Sequence, residues 1–345
     1  MGHSFYDKAV TTSYLARCAS TGEDTFSHTA AINQGEIARE VHKNLRPDRK
    51  NTAGLIVRES RDSAEHPNSR AIAILFDVTG SMHAAPRIFL EKLPNLMQLL
   101  VRKGIVSNPH ILFGAIGDAT AGDLGPLQIG QFEAGNEMDS DLTNVWLEGG
   151  GGWPLPEESY ELGIYFLAQY AEMDCLTKRN QKGYCFILGD ERPHKTVSAS
   201  ILERLTGERP QADVPTADVL AKLREKFNVF WIMPGGTLHE NDEKVLGPLK
   251  EMFGQQFIKL KHPKDVCEVI STIIGVSEGV DISQVASDLS EAGADHAAIQ
   301  EATSAISGYA ATVPSTAGGV VVEGTVPAAD PELAAADATL NTSGE

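Results

Sequence analysis

Three side chains with hard oxygen donors stand at alternate positions in the segment DVTGSM. Asp77 carries a carboxylate, and Thr79 and Ser81 carry hydroxyls. Such donors suit Mg²⁺, which binds a few protein oxygens, keeps several waters and requires near-octahedral geometry. The same segment is also typical of a helix N-terminus, where Ser81 would hold backbone amides. On the motif alone, both interpretations stay open.

A further carboxylate, Asp190, follows the apolar residues FIL in the segment FILGDERPH, more than a hundred residues later. A single Asp after a strand is usually a turn or cap residue. Two such strands can, however, end at the same edge of one sheet. We therefore predict a divalent-cation site built from Asp77, Thr79, Ser81 and Asp190.

Other polar groups are assigned structural roles. Asp118 and Asp123, in the segment GDATAGD, are interpreted as solvated loop carboxylates. His194 is expected to pack in its loop, because no Ser or Cys nucleophile stands in a tuned setting with it. His239 is interpreted as a surface residue. The glycine run 149–152 lacks the lysine of a phosphate-binding loop and is interpreted as a hinge.

Strands and helices that alternate along residues 70–279 are expected to position these groups. The run AIAILF is continuously apolar, as in a strand buried on both faces. The predicted strands are AIAILF, HILFGAIGD, LQIGQF at an edge, GYCFILGD, NVFWIMPG and QQFIKL. The predicted helices cover residues 86–104, 157–173, 216–227 with Thr216 as its cap, 243–253 and 265–276.

This alternation predicts an α/β fold with a doubly wound, mostly parallel sheet and helices on both faces. In such a sheet, ligands bind beyond the carboxyl ends of the strands. The segments DVTGSM, GDATAGD, GDERPH and PGG each follow a predicted strand directly. Together they form the candidate site.

The rest of the chain divides into three parts. Residues 1–69 are predicted to be an extension that packs on the main domain, with helices at SYLARCAS and GEIAREVHKNL and a strand at LIVRES. Residues 280–308 are predicted to be helical, with a break near Gly293. Residues 309–345 are rich in Ala, Thr, Pro and Gly, and we expect this acidic tail to be disordered because it has little apolar bulk to bury.

The net charge of −18 is unevenly distributed. Residues 281–345 contain ten acidic residues and no Lys or Arg. Such a surface disfavours nucleic acid and anionic membranes as partners. The tail is interpreted as solubilising, with docking to a basic partner as the alternative. The four cysteines form no CxxC pair and no secretion signal is apparent, so a cytoplasmic location is expected.

Three segments together resemble a known family. FDVTGSM is similar to the first loop of the metal-ion-dependent adhesion site of von Willebrand factor A (VWA) domains. Its TGSM form resembles the branch associated with alpha-kinases. GGGGWPLPEESYELG resembles the second loop of that branch, and ILGDERPH resembles the third. The resemblance covers residues 70–279, about 210 of the 345.

The resemblance implies a division of roles among the predicted ligands. Thr79 and Ser81 would bind the ion directly, and Asp77 and Asp190 would act mainly through waters. Mg²⁺ is the expected ion, with Mn²⁺ or Ca²⁺ as substitutes. A carboxylate from a partner protein would complete the coordination shell. In this family an AAA+ ATPase or an assembly component is a common partner.

The second loop departs from the family pattern. The family supplies a Thr or Asp where this chain has Trp153 or Pro154. We include Glu157 in the predicted metal site as a substitute, and Glu158, Thr143 or a glycine carbonyl are further possibilities. Glu157 can alternatively cap the helix that follows it. Trp153 has an alternative role as an exposed anchor for a partner.

Three functions remain open on the sequence alone. The first is a non-enzymatic, metal-dependent protein-interaction module, which the three motifs favour. The second is a structural or assembly protein with a degenerate metal site, which the missing second-loop ligand favours. The third is a metal-assisted phosphoester hydrolase, which is disfavoured because no dense carboxylate cluster provides a two-metal centre.

Overall fold

The computed structural model describes residues 4–80, 82, 85–102, 104–151 and 155–313. Ser81, Trp153 and Pro154 lie outside this part of the chain. The chain forms two units, Met1–Pro314 and Ser315–Glu345, and the second also lies outside the described residues.

The helices are α1 (Lys8–Thr21), α2 (Ser27–Asn33), α3 (Ala85–Arg102), α4 (Glu137–Thr143), α5 (Tyr160–Tyr170), α6 (Asp174–Arg179), α7 (Ala199–Thr206), α8 (Thr216–Lys226), α9 (Glu243–Phe253), α10 (Val266–Ser277), α11 (Ile282–Glu291), α12 (His296–Ala305) and α13 (Ser307–Ala310). The strands are β1 (Arg58–Ser60), β2 (Ser69–Asp77), β3 (Asn108–Ile116), β4 (Leu127–Ile129), β5 (Glu157–Glu158), β6 (Ala171–Met173), β7 (Gly183–Leu188), β8 (Arg192–Pro193), β9 (Thr196–Val197), β10 (Val214–Pro215), β11 (Phe227–Pro234) and β12 (Phe257–Leu260). No helix in the described part of the chain is long and apolar enough to cross a bilayer.

The central sheet has six strands in the order β12-β11-β7-β2-β3-β4. All neighbours are parallel except β4, which pairs with β3 in the antiparallel sense. The chain runs from β2 outward to β3 and β4, and then returns to β7 on the other side of β2. The strand order therefore reverses between β2 and β7, and the carboxyl ends of these two strands form the crevice where such sheets bind ligands.

Helices cover both faces of this sheet, which confirms the predicted doubly wound α/β fold. Alternate residues of β2 point to opposite faces. Ile74 and Phe76 belong to a core shared with α3 and α10, whereas Ala73 and Leu75 belong to a core shared with α5, α8 and α9. Because β2 is buried on both faces, its sequence is continuously apolar rather than alternating.

The N-terminal residues pack on this sheet. Phe26 and Leu45 belong to one core and Ile56 to the other. Arg58 is fully buried, and its guanidinium donates to the carbonyls of Gly130 at 2.8 Å, Arg46 at 2.9 Å and Arg49 at 3.2 Å. One cation thus joins the N-terminal segment to the end of β4.

The predicted helix over residues 35–45 was wrong, because this segment forms turns. An isolated helix of this length is marginal in water and needs a packed apolar face. Leu45 is buried but Ile37 is 42% exposed, so the predicted apolar face is only partly covered. The carbonyl of Glu40 lies 2.9 Å from the ring nitrogen of His28 instead of within a helix. The α2 helix, which contains His28, was not predicted.

The C-terminal helices follow the predicted pattern as far as the structure describes them. The break between α11 and α12 falls at Gly293, whose φ of 91° favours glycine. In α13, the Tyr309 ring contacts Phe230 at 4.9 Å, and its hydroxyl lies 2.8 Å from Ser277 Oγ. Residues 309–313, at the start of the predicted disordered tail, therefore have a described structure, and the remainder lies outside the described residues.

Candidate metal centre

The ends of β2 and β7 bring two of the predicted site residues onto neighbouring strands. Phe76 pairs with Leu188 in the parallel register of these strands. Asp77 and Asp190 follow one and two residues beyond that pair. Both side chains are fully buried. The sheet topology therefore places these two carboxylates together at the position where the strand order reverses.

Asp77 is held by hydrogen bonds from the backbone and side chain of Thr79 and from the side chain of Tyr160. The backbone N–H of Thr79 donates to Oδ1 at 2.6 Å, and the hydroxyl of Tyr160 donates to Oδ2 at 2.9 Å. The pKa of Asp77 is raised to about 7, mainly by burial and also by the negative charge of Asp190, against the opposing hydrogen bonds from Thr79 and Tyr160. Asp77 therefore binds a proton more tightly than an exposed aspartate does.

Tyr160, at the start of α5, crosses the end of β7 to reach Asp77. A Cβ on Gly189 would lie 2.0 Å from the Tyr160 hydroxyl, so only glycine permits this approach. Trp231 donates from its indole to the Gly189 carbonyl at 3.0 Å. The backbone N–H of His239 is 3.5 Å from Asp190 Oδ2. Neither Tyr160 nor His239 was predicted, because apolar periodicity identifies a helix face without showing where a hydroxyl on it points.

Two more buried carboxyls lie beside this pair. The side chains of Glu158 and Glu191 are joined by a hydrogen bond. Burial raises the pKa of Glu191 to about 7, and the charges of Asp77 and Asp190 also raise it, while the bond from Glu158 opposes the shift. His239 Nε2 lies 3.2 Å from Glu191. His239 therefore faces the site, and the interpretation as a surface residue was wrong.

The glycine run of the second loop lies against the first loop. The N–H of Gly80 donates to the carbonyl of Gly150 at 3.1 Å. A Cβ on Gly151, whose φ is +140°, would lie 3.3 Å from Thr79 Cβ and 3.1 Å from a Glu158 carboxylate oxygen. Gly151 is therefore closely packed, whereas Gly149 has open space around it, and the hinge role of the glycine run stays a prediction.

Asp123 fixes this glycine run. Its carboxylate accepts from the backbone N–H of Asp118 at 2.7 Å and from that of Gly151. A Cβ on Gly150 would lie 2.0 Å from Asp123 Oδ1. Asp123 is only partly exposed. It therefore links two loops of the site instead of being the solvated carboxylate that was predicted.

Asp118 is also buried, contrary to prediction. It accepts hydrogen bonds from the hydroxyls of Thr120 at 2.8 Å and Ser159 at 3.2 Å, and His194 Nε2 lies 3.1 Å away. Burial acts to raise the pKa of Asp118, but the hydrogen bonds from His194 and Thr120 outweigh it, so the pKa is lowered. Ser159 and His194 come from loops distant in sequence, which is why the pattern could not reveal these two contacts.

His194 packs between loops, as predicted. Its backbone N–H donates to Glu161 at 3.2 Å, and its carbonyl accepts from the Thr216 hydroxyl at 2.6 Å. The prediction that Thr216 caps α8 was wrong. Thr216 is the first residue of this helix, and the N-cap residue is Pro215. Burial raises the pKa of Glu161 to about 8.

Glu157 lies between the side chains of Arg192 and His194. Arg192 Nη2 lies 3.1 Å and His194 Nδ1 3.5 Å from its carboxylate. The N-cap of α5 is Ser159, so the alternative role of Glu157 as a helix cap was wrong. Its role as a metal ligand stays a prediction.

Thr143, another possible substitute for the second-loop ligand, donates a hydrogen bond from its hydroxyl to the Ser140 carbonyl at 3.2 Å.

Among the residues that the structure describes, no group of three or more His, Cys, Asp or Glu side chains is arranged to hold a metal ion. The candidate set is of a different kind, because it combines Asp77 and Asp190 with the hydroxyl of Thr79. All three are buried, and each oxygen is a hard donor. This donor chemistry fits a divalent cation bound partly through waters. Ser81 lies outside the described residues.

No protein-family model matches the sequence, and no curated protein is significantly similar to it. Solved structures with partial similarity include the open conformation of the pilus adhesin SpaC from Lactobacillus rhamnosus GG, with a TM-score of 0.43, 10% identity, and coverage of 61% of this chain and 30% of that chain. They also include proximal thread matrix protein 1 from the mussel byssus, with a TM-score of 0.39, 9% identity, and coverage of 60% of this chain and 47% of that chain. This chain thus spans less than half the length of each.

Proposed function

We propose that this chain is a non-enzymatic protein-interaction module of the VWA type, which uses a divalent cation to bind a carboxylate of a partner protein. The observation that carries the proposal is the buried pair Asp77 and Asp190 at the reversal of strand order, with the Thr79 hydroxyl beside it. Burial and the negative charge of Asp190 raise the pKa of Asp77, so a positive charge beside Asp77 would stabilise its ionised form. A bound Mg²⁺ would supply that charge and an electrophilic position for a partner carboxylate.

Each residue would contribute in a distinct way. The Thr79 hydroxyl would bind the ion, and Asp77 and Asp190 would accept from its waters. Tyr160 holds Asp77 in one orientation through its 2.9 Å hydrogen bond. Because few charged oxygens would touch the ion directly, it would keep its attraction for an acidic group of the partner.

Metal binding is tested by titrating the full chain with Mg²⁺ and Mn²⁺ in a calorimeter. We expect Thr79→Ala to lose the binding and Thr79→Ser, which keeps the hydroxyl, to retain it. Asp77→Asn should also lose it, and Asp218→Asn on the exposed face of α8 is the matched control. If the wild-type chain releases no binding heat and gains no thermal stability with either ion, the proposal fails.

Partner binding is tested by pull-down with and without a chelator. The VWA resemblance makes an AAA+ ATPase or an assembly component the partner class to look for, and we place the interaction in the cytoplasm. All four cysteines are buried free thiols, as suits a reducing compartment. A partner that Asp77→Ala or chelator leaves bound would contradict metal bridging.

One observation favours a second candidate, a structural or assembly protein with a degenerate site. Gly151 of the second loop occupies the space beside Thr79, and the family supplies a Thr or Asp from this loop. Under this alternative the fold alone would serve as the contact surface. The Mg²⁺ titration separates the two, because a degenerate site gives no binding while the partner is still captured in chelator.

A further inference from the structure

An apolar cavity of about 200 Å³ lies at the same edge of the sheet as the candidate metal centre. Leu188, Pro234 and Leu260, at the ends of β7, β11 and β12, form part of its wall. Phe89 of α3 and Val266 of α10 line it from the helical layer. These side chains belong to different elements, so the cavity is formed by the folded arrangement and not by one loop.

Three chain segments each contribute a residue to the cavity and a residue to the site. Leu188 lines the cavity, and Asp190 follows two residues later. Thr237 lines it, and the N–H of His239, two residues on, faces Asp190. Met82 lines it three residues after Thr79. Because two extended residues span at most about 7 Å and three about 11 Å, the cavity lies directly beside the carboxylates.

The size of the cavity limits what it can hold. Sites for whole small molecules are usually roughly 300–1,000 Å³. At about 200 Å³ with a mainly apolar lining, this cavity suits one Leu, Met or Phe side chain. Leu238, next to Thr237, is 79% exposed and extends the apolar surface outward. An apolar pocket beside a polar centre is the usual arrangement for anchoring one side chain of a partner.

We propose that the cavity binds an apolar side chain of the same partner segment whose carboxylate is bound at the metal centre. In an extended segment, residues two positions apart point to the same side and lie about 7 Å from each other. The partner segment is therefore extended, with an Asp or Glu and a Leu, Met or Phe two residues away. This inference rests on the proposed function and adds the sequence preference of the partner.

The test uses synthetic pentapeptides and the full chain. Gly-Leu-Gly-Asp-Gly and the reverse order Gly-Asp-Gly-Leu-Gly are titrated in Mg²⁺ and followed by NMR chemical shifts. Ala replaces Leu and Asn replaces Asp in the control peptides. Burial of a leucine side chain predicts that one of the two orders binds about tenfold more tightly than its Ala counterpart.

The cavity itself is tested by filling it. Thr237→Phe, on a partly exposed loop, should reduce the affinity for the Leu peptide to that of the Ala peptide and leave Mg²⁺ affinity unchanged. Thr237→Ser keeps the hydroxyl that donates to the Pro234 carbonyl at 3.1 Å and is the control. Val266→Phe fills the cavity from the opposite wall and should have the same effect.

The outcomes separate this inference from the proposed function. Metal-dependent binding of the Asp peptides with no preference for Leu overturns the inference and leaves the proposed function intact. A Leu preference that persists in chelator and is lost in Thr237→Phe supports the cavity and contradicts the metal bridge. If no peptide binds to the Mg²⁺-loaded chain, the inference is overturned, and if Mg²⁺ also fails to bind, so is the proposed function.

Discussion

The hydroxyl of Tyr160 donates a 2.9 Å hydrogen bond to Asp77 inside a group of buried carboxyls. Burial raises the pKa of Tyr160 well above its ordinary value, and the negative charges of Asp77 and Asp190 add to that shift. The phenol therefore stays protonated and is a permanent donor to Asp77. Because Tyr160 also fills the space over Gly189, it links α5 to the ends of both β2 and β7.

Removal of this hydroxyl should weaken both stability and metal binding. Tyr160→Phe leaves an oxygen of a fully buried carboxylate without its donor, and we expect a loss of about 1–3 kcal/mol in the free energy of unfolding. Mg²⁺ affinity should also fall, because Asp77 is no longer oriented. Denaturant unfolding and calorimetry measure the two effects. Tyr165→Phe, on the half-buried side of α5, is the matched control, and equal effects from both variants would contradict the role of Tyr160.

The fold could be predicted from the sequence because its central strands carry an unambiguous signal. AIAILF, FGAI and CFIL are continuously apolar, and only strands buried on both faces of a sheet require this pattern. The two carboxylates Asp77 and Asp190 could be placed together for the same reason, since they directly follow two such strands. The conformation of residues 35–45 could not be predicted, because it depends on the contact between the Glu40 carbonyl and His28 and not on helix periodicity.

The surroundings of the site were less predictable than its two carboxylates. Asp118 and Asp123 have the composition of solvated loop residues, and only their contacts to other loops show that they are structural. The contact of Gly151 with Thr79 likewise joins loops separated by about seventy residues. Such contacts are set by tertiary packing, which local sequence patterns do not encode.

The buried guanidinium of Arg58 should be a major contributor to stability. Burial lowers its pKa to about 9, so it remains charged at neutral pH, and it bonds to backbone carbonyls. Arg58→Met leaves several buried carbonyls without donors, and we expect a loss of about 3–5 kcal/mol. Arg46→Met, which removes an exposed pair with Asp48, should cost less than about 1 kcal/mol. Urea unfolding of both variants checks the difference, and similar losses would contradict the role of Arg58.

The close packing of Gly151 should make it intolerant of a side chain. Gly151→Ala would place a methyl group against Thr79 and Glu158, and it should reduce Mg²⁺ affinity at least about tenfold because the Thr79 hydroxyl moves. Gly122→Ala is the matched control, since that glycine also has positive φ, at +94°, but has open space around it. Both variants carry backbone strain, so both should lose some thermal stability. Only Gly151→Ala should lose the metal, as calorimetry would show.

Without metal, the stability of the chain should depend on pH through Asp77. Its pKa is about 7 in the folded chain and about 3.8 when unfolded, so between these values the folded state binds more protons. The contribution of Asp77 to the free energy of unfolding is therefore fully present below about pH 4 and is lost as the pH rises through 7. Asp77→Asn should remove that part of the slope in urea unfolding measured in chelator from pH 4 to 8. An unchanged slope would show that Asp77 does not titrate in this range.

Mg²⁺ affinity should show the opposite pH dependence from metal-free stability. A cation binds the ionised carboxylate, so it must displace the proton that Asp77 holds below its pKa of about 7. One such proton makes the affinity about tenfold lower at pH 6 than at pH 8. Glu191, whose pKa is also about 7, should steepen the dependence if its charge contributes to the site, and Glu191→Gln then restores the single-proton slope. Calorimetric titrations at both pH values, in buffers of different ionisation enthalpy, count the protons released. Proton release near zero at pH 6 would mean that the ion does not bind at Asp77.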